Sequence, residues 1–233
     1  MESTILSTLH NTSTDISYPD SDGLPMANNI EHLKRITTTQ YGLESVFQER
    51  DDVFIAADLF WYPVEGRPNL VQAPDVMIAL GRPKHERSSY QQWKEDGIAP
   101  QVVFEFLSKS NTPSEMIRKA TFFEHYGVQE YYIYDLEHKV LSGLIRFQEA
   151  DDVLEEIPDM HDWKSPRLGI RFDMSSGELV LWKPDGTAFL SYDEYIRMEN
   201  ILGETRAELD TAKNYAAKLA KKLRALGINP EEV

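Results

Sequence analysis

One part of the chain limits the possible folds more than any other. The apolar run VVFEFL at 102–107 and the run QEYYIYD at 129–135 both have the length and composition of buried strands. Between them, residues 113–126 show helical periodicity. A strand, a helix and a second strand in this order predict a parallel crossover unit, so we expect a sheet with helices packed against it.

The helix inside this unit has clear signals at both ends. Thr112 is a good N-cap, Pro113 suits the first helical position, and Glu115 completes a capping box with Thr112. Gly127 lies where a left-handed C-terminal cap is expected. These signals predict a helix over 113–126.

The preceding residues add a helix and two strands. A helical pattern covers 29–50, and apolar runs at 53–57 and 75–80 predict strands. The candidate buried positions of the helix are Ile30, Leu33, Ile36, Leu43 and Phe47. Shorter β segments are expected at 139–146, 152–157, 168–173, 178–182 and 187–190. The predicted fold class is α/β (α+β), with a mixed central sheet, flanking helices, antiparallel β additions and a long C-terminal helix.

Three regions differ in composition. Residues 1–28 are polar and are interpreted as a mobile leader. Residues 29–192 form the predicted main domain, and residues 193–233 form the predicted C-terminal helix. No apolar run approaches the roughly 20 residues of a membrane span, and the start of the chain lacks the pattern of a secretory signal. We therefore expect a cytoplasmic protein.

The C-terminal helix carries a heptad seam, in which apolar residues alternate at spacings of four and three. Its members are Met198, Leu202, Leu209, Ala212, Ala216, Leu219, Leu223 and Leu226, with Thr205 as the exception in type. Two interpretations stay open at this point. The helix either packs on its own domain or forms a homodimer as a coiled coil.

Charge and cysteine content exclude several kinds of site. The chain has no cysteine, which excludes disulfides, thiolate metal sites and cysteine nucleophiles. Its formal net charge of −15 argues against nucleic-acid binding over the general surface. The segment 82–94 is locally basic, with Arg82, Lys84, Arg87 and Lys94. It fits either a solvated loop or a DNA-contacting loop.

Two acidic residues stand in or beside the predicted strands. Asp75 follows Pro74 at the start of one strand, and Glu105 lies in the middle of another. If the strands are neighbours, both carboxylates can face the same side of the sheet, where a cation would offset their repulsion. Mg²⁺ commonly takes one or two protein carboxylates, and Mn²⁺ is a common substitute. The pair therefore predicts a magnesium site formed by Asp75 and Glu105.

Lys119 is the third candidate residue, because it shares a helix stripe with Met116 and Phe123 and directly follows the strand of Glu105. A lysine among apolar neighbours either extends to solvent or finds an anion. It can reach the two acids and offset charge on a reacting phosphate. The alternatives are an ordinary surface pair of Lys119 with Glu115, and a strand glutamate without chemistry.

These residues resemble the PD-(D/E)xK nuclease superfamily. Pro74-Asp75 corresponds to its "PD" and Glu105 to its second acid. The sequence departs from the pattern two residues later, where Leu107 stands in place of the lysine, and Lys109 lies in the wrong register. Lys119 corresponds to a variant in which the lysine lies on the following helix.

Longer runs are similar to the Uma-type restriction endonucleases of bacteria. The likeness covers about residues 30–190 and is carried by APDVMIALGRPK (73–84), QVVFEFLSKSNTPSEMIRK (101–119) and FFEHYGVQEYYIYD (122–135). The resemblance implies a restriction-endonuclease-like core and Mg²⁺-dependent hydrolysis of DNA phosphodiester bonds. Asp75, Glu105 and Lys119 are then the implied catalytic residues, with Asp58 as a candidate further acid. The alternative is a catalytically silent nuclease fold that serves as a binding or scaffold protein.

Overall fold

A computed structural model describes residues 16–21, 29–148, 151–227 and 229–230. The chain divides into two compact units between Ala188 and Phe189. Most of the predicted leader lies outside the described residues. Within 16–21, the Tyr18 ring lies 5.3 Å from that of Tyr62 and 5.1 Å from that of Trp93, measured between centroids.

The first unit contains two helices and ten strands in the described residues. Helix α1 spans Ile30–Val46 and helix α2 spans Pro113–Tyr126. The strands are β1 Val53–Ala57, β2 Trp61–Tyr62, β3 Val76–Leu80, β4 Tyr90–Gln91, β5 Val102–Leu107, β6 Glu130–Asp135, β7 Val140–Ile145, β8 Glu155–Glu156, β9 Arg171–Asp173 and β10 Val180–Trp182. A short 3₁₀ helix, Gln92–Lys94, follows β4.

The central sheet is mixed, with the strand order β1-β3-β5-β6-β7-β8. Strands β5 and β6 are parallel and are joined through α2, while the other neighbours in this sheet pair antiparallel. The predicted α/β class, crossover unit and antiparallel additions are confirmed. Strands β2 and β4 form a separate parallel pair that the sequence did not indicate. The strand predicted at 187–190 is wrong, since only an isolated bridge joins Ala188 to Trp182 there.

Three of the five positions predicted to be buried along the first helical segment are buried, and two are exposed. Ile36, Leu43 and Phe47 are buried as expected, but Ile30 is 75% exposed and Leu33 is 44% exposed. The inward stripe instead includes His32 and Thr39. Spacings of four, three and four connect these inward positions, so the periodicity is helical although two of its members are polar.

Helix α2 closes one face of the central sheet. Its capping box between Thr112 and Glu115 and the left-handed C-cap at Gly127, with φ of 103°, form as predicted. The helix contributes Phe123, fully buried, to a core with Met77 of β3 and Val103 of β5. Burying one phenylalanine side chain stabilises the fold by about 2 kcal/mol. This packing fixes the height and rotation of α2 above strands β3 and β5.

A buried carboxylate, Glu130, connects β6 to a later segment of the chain. Its Oε2 accepts hydrogen bonds from the hydroxyls of Tyr132 (2.9 Å) and Ser165 (2.5 Å). Its Oε1 accepts one from the main-chain N–H of Arg167 (2.8 Å). Burial raises the pKa of Glu130, although these hydrogen bonds oppose the shift.

We expect Glu130→Ala to destabilise the protein by about 3 kcal/mol, because the buried Ser165 hydroxyl and the Arg167 N–H would lose their acceptor. Urea denaturation followed by circular dichroism measures the change. Glu155→Ala, on the exposed strand β8, is the matched control and should change the free energy of unfolding by less than about 0.5 kcal/mol. Equal effects of the two variants would contradict a structural role for Glu130.

The second unit contains helix α3, Tyr192–Ala225. It begins at an N-cap, Ser191, whose hydroxyl accepts from the main-chain N–H of Glu194 (3.3 Å), and the Glu194 carboxylate accepts from the Ser191 N–H (2.8 Å). No helix in the described residues has the length and apolarity that a membrane span requires.

Candidate functional site

The strand register places the two predicted acids opposite each other. Strands β3 and β5 pair Val76 with Phe104, and one further step of the same antiparallel register brings Asp75 opposite Glu105. Asp75 lies one residue before β3. Side chains alternate along a strand, so Glu105 belongs to the face that carries Val103. This is the face covered by α2.

Glu105 is enclosed and makes one strong contact. Its side chain is 2% exposed, and its Oε2 lies 2.7 Å from Nζ of Lys119, which is itself only 14% exposed. The other oxygen, Oε1, is buried and has no hydrogen-bond partner among the described residues. A buried carboxylate oxygen normally has a partner. Oε1 of Glu105 is therefore an acceptor that could bind a further donor or a cation beside Lys119.

The electrostatics of this pair follow from burial and from the nearby acids. Burial raises the pKa of Glu105, the charge of Asp75 raises it further, and Lys119 opposes both effects. Burial alone would lower the pKa of Lys119, but the charges of Glu105 and Asp75 outweigh it and the pKa is raised. Lys119 therefore stays cationic, while Glu105 favours an additional positive partner.

The orientation of Asp75 is set by two elements outside its own strand. Its Oδ2 accepts from the main-chain N–H of Phe106 at 2.7 Å and lies 3.0 Å from Nε2 of His32 on helix α1. His32 is 5% exposed. The contact of His32 with Asp75 was not predicted. His32 lies on the same helix stripe as Ile36 and Leu43, and this periodicity could have indicated that its side chain is buried.

Tyr131 is a second residue that the sequence did not indicate. It lies in the core on the same face as Glu105, and its hydroxyl has no hydrogen-bond partner among the described residues. Burial raises its pKa, and the charges of Glu105 and Asp75 add to the shift. The neutral hydroxyl therefore stands in the electric field of both acids. Nothing in the alternation of QEYYIYD distinguishes this tyrosine from its neighbours.

The two remaining candidate residues, Asp58 and Lys109, differ in their positions relative to Asp75 and Glu105. Asp58 follows β1, has a left-handed φ of 48°, and donates its main-chain N–H to the carbonyl oxygens of Pro74 (3.1 Å) and Asp75 (3.3 Å). It therefore adjoins the start of β3. The Lys109 side chain is 82% exposed and pairs with Glu137 at 3.1 Å, so it does not contact Glu105.

The donor set fits a hard divalent cation such as Mg²⁺. Asp75 and Glu105 offer carboxylate oxygens, and the unsatisfied Oε1 of Glu105 is a position that a cation would satisfy. Among the described residues, no cluster of three or more histidine or acidic side chains is arranged to hold a metal ion. A cation here would therefore take two protein carboxylates and complete its shell with oxygens of water and substrate, as Mg²⁺ commonly does.

The basic segment 82–94 does not present its arginines as a free surface. Arg82 pairs with Glu95 at 3.2 Å and with Asp96 at 2.5 Å. Arg87 pairs with Glu95 at 2.6 Å, and its guanidinium lies 3.9 Å from the centre of the Phe54 ring. The structure therefore does not support DNA contact through these two arginines, because nearby acids already neutralise them.

We expect Arg87→Met to destabilise the protein by about 3 kcal/mol, since it removes one partner of a buried pair and leaves Glu95 poorly compensated. Burial by itself raises the pKa of Glu95, but Arg87 and Arg82 lower it overall. A carboxyl group whose pKa is lower in the folded than in the unfolded state stabilises the fold at pH values above its unfolded pKa. This stabilisation is lost as the pH falls through the folded pKa. The difference between wild type and Arg87→Met should therefore shrink below about pH 4.

Urea titrations at several pH values measure that difference. Lys94→Met, at an exposed position of the same segment, is the matched control and should leave the free energy of unfolding unchanged. A stability loss at Lys94 as large as that at Arg87 would contradict the structural assignment.

Comparison with known proteins gives a family match. The model of the Uma2 family, described as "Putative restriction endonuclease", matches residues 9–171, a range that includes Asp75, Glu105 and Lys119. Five chains of solved structures are similar. One is described as a "putative nuclease belonging to DUF820" from Anabaena variabilis, with 12% sequence identity and a TM-score of 0.45, covering 60% of this chain and 75% of that chain. No curated protein matches the chain.

Proposed function

Because this chain belongs to the Uma2 family, whose description is "Putative restriction endonuclease", we propose that it hydrolyses phosphodiester bonds of DNA with Mg²⁺ bound by Asp75 and Glu105. Lys119 assists at the same site. The observation that carries the proposal is the enclosed Oε1 of Glu105, which has no hydrogen-bond partner in the part of the chain that the structure describes. An unsatisfied buried oxygen is unfavourable by about 1–3 kcal/mol, so its presence beside a second acid points to a ligand.

The residues of the chain have distinct tasks in this proposal. Asp75 is held in one orientation by the Phe106 N–H and by His32, so its carboxylate is positioned before substrate arrives. When bound, Mg²⁺ would polarise the phosphoryl group and activate the attacking water. Lys119, fixed against Oε2 of Glu105, places a positive charge where negative charge develops on the phosphate oxygens.

A second candidate function is favoured by the charge distribution. The net charge is −15, and the acids at 95 and 96 neutralise Arg82 and Arg87. DNA binding by a free-standing enzyme draws on clustered free cations. These observations favour a nuclease fold that is retained as a binding or scaffold protein without cleavage.

Metal titration and plasmid cleavage together separate the two functions. Mn²⁺ and Mg²⁺ are titrated by calorimetry into the wild type and Asp75→Asn, and supercoiled plasmid is incubated with each protein and metal. The nuclease proposal expects metal binding and nicking by the wild type only. Asp51→Asn, an exposed aspartate at the turn before β1, is the control and should behave as the wild type. Absence of metal binding in the wild type would overturn the proposal and favour the scaffold function.

A further inference from the structure

Most of the large apolar residues of the heptad seam on helix α3 are exposed. Along the seam, Met198 is 49% exposed, Leu202 is 58% exposed, Leu209 is 52% exposed and Leu219 is 42% exposed. A row of exposed apolar side chains at heptad spacing is typical of a helix that pairs with another helix. The question is which partner would cover it.

The charges along α3 are divided between its two halves. Residues 193–210 contain six acidic and two basic residues, a net charge of −4, whereas residues 211–226 contain five basic and no acidic residues, a net charge of +5. A second copy in parallel would place like charges beside each other along both halves. A second copy in antiparallel orientation would place the acidic half beside the basic half.

Residue size along the seam also distinguishes the two orientations. In an antiparallel pair centred between 210 and 211, each seam position meets a different position of the other copy. Leu209 then lies opposite Ala212, and Thr205 opposite Ala216. In a parallel pair, Leu209 meets Leu209 and Ala212 meets Ala212, so a wide layer adjoins a narrow one. The two central layers of the antiparallel pair each combine a large residue with a small one and are therefore equal in width, whereas the Thr205–Ala216 layer is narrower.

The same antiparallel register matches the outer layers of the seam. Leu202 lies opposite Leu219, and Met198 lies opposite Leu223, so the ends of the seam carry large apolar pairs. Thr205 is compatible with this packing, because its hydroxyl donates to the main-chain carbonyl of Ile201 at 2.8 Å within the same helix. Its hydroxyl is therefore already hydrogen-bonded when the seam closes.

The positions that flank the seam do not select an orientation by themselves. In a parallel pair, Glu208 lies near Lys213, which is attractive, but Glu194 lies near Glu199, which is repulsive. An antiparallel pair brings Arg206 near Lys213. These close pairs roughly offset one another, so the net charges of the two halves and the sizes of the central layers decide.

We propose that α3 is a self-association surface, on which a second copy of this chain binds in antiparallel orientation through the seam from Met198 to Leu223. A second copy of the chain is sufficient to cover the seam from Met198 to Leu223. This association is independent of the metal site, and it assigns a partner to the largest row of exposed apolar residues on this helix.

The absence of cysteine from the chain makes the orientation directly testable. Full-length Thr205→Cys and Ala216→Cys are mixed under reducing conditions and then oxidised, and the linked peptides are identified by mass spectrometry. The expected product is the mixed 205–216 disulfide, because only residues in the same layer approach closely enough. Predominance of 205–205 and 216–216 disulfides would overturn the antiparallel orientation.

Sedimentation equilibrium tests the association itself. The wild type should be dimeric, and Leu202→Glu should raise the dimer dissociation constant by about 30-fold or more. Ala207→Glu, on the side of α3 opposite the seam, is the matched control and should leave the dissociation constant nearly unchanged. A monomeric wild type at protein concentrations of about 0.1 mM would overturn the proposal.

Salt dependence gives an independent readout of the charge argument. Raising NaCl from about 0.05 M to about 0.5 M should weaken an antiparallel dimer, because screening removes the attraction between unlike halves. An association that strengthens with salt would contradict the antiparallel arrangement, since it would indicate repulsion between like halves.

Discussion

Replacing Glu105 by glutamine is expected to abolish Mn²⁺ binding in a calorimetric titration and to reduce plasmid nicking by at least about 100-fold. The substitution keeps the shape of the side chain in its enclosed position, which is 2% exposed, but removes its negative charge. Asp75 alone would then face the cation. A single carboxylate binds a divalent ion weakly unless substrate phosphates contribute.

Thermal stability provides a second measurement of the same effect. A ligand that binds only the folded state stabilises it by about 2.7 kcal/mol at a concentration 100 times its dissociation constant. Mn²⁺ should therefore raise the Tm of the wild type and leave that of Glu105→Gln unchanged. Glu155→Gln is the control and should respond as the wild type does. A metal-dependent rise in the Tm of Glu105→Gln would show that Glu105 is not a ligand.

The second large effect is expected from Lys119→Met. This substitution leaves Glu105 buried without the cation that lies 2.7 Å from its Oε2, and breaking such a pair destabilises a protein by about 3–5 kcal/mol. Urea denaturation in the absence of metal measures the loss. In the presence of Mn²⁺, the affinity for metal should be kept or increased, because a competing positive charge has been removed, whereas nicking should fall by at least about 100-fold.

The double variant Glu105→Gln with Lys119→Met separates the contribution of the Glu105–Lys119 interaction to stability from the contributions of the two individual side chains. Replacing both charges by neutral side chains of similar volume is often neutral for stability, so the double variant should be more stable than Lys119→Met alone. The interaction free energy from the double-mutant cycle should reach about 2 kcal/mol. Additive losses would mean that the two side chains do not act as a pair. Metal affinity that falls with Lys119→Met would contradict the division of roles between the carboxylates and the lysine.

The local signals predicted the elements that carry the site with good accuracy. Helix α2 begins and ends at the predicted residues because Thr112, Pro113, Glu115 and Gly127 act within one turn of each end. Strand β5 also matches its predicted range. The family resemblance drawn from the motifs is confirmed by the match over residues 9–171.

Predictions that depended on distant contacts were weaker. The exposure of Ile30 and Leu33 follows from the rotation of α1, which His32 and Ile36 fix on the inward side. The sequence indicated a basic loop that contains Arg82 and Arg87. In the structure, Glu95 and Asp96 form ion pairs with these two arginines. In each case the deciding partner lies on another element or beyond a turn, where periodicity carries no information.

The sequence by itself determined the order of the helices and of the central-sheet strands, the capped helix α2 and the identity of Asp75, Glu105 and Lys119 as candidates. Propensity, capping and motif spacing suffice for these features because they act over a few residues. Only the tertiary structure decided that β3 lies beside β5 and that His32 and the Phe106 N–H hold Asp75. It also decided that Oε1 of Glu105 is enclosed and has no hydrogen-bond partner within the described ranges. The physical reason is that burial and electrostatics arise between elements. A carboxylate becomes a strong cation ligand only where the fold removes its water and brings a second charge beside it.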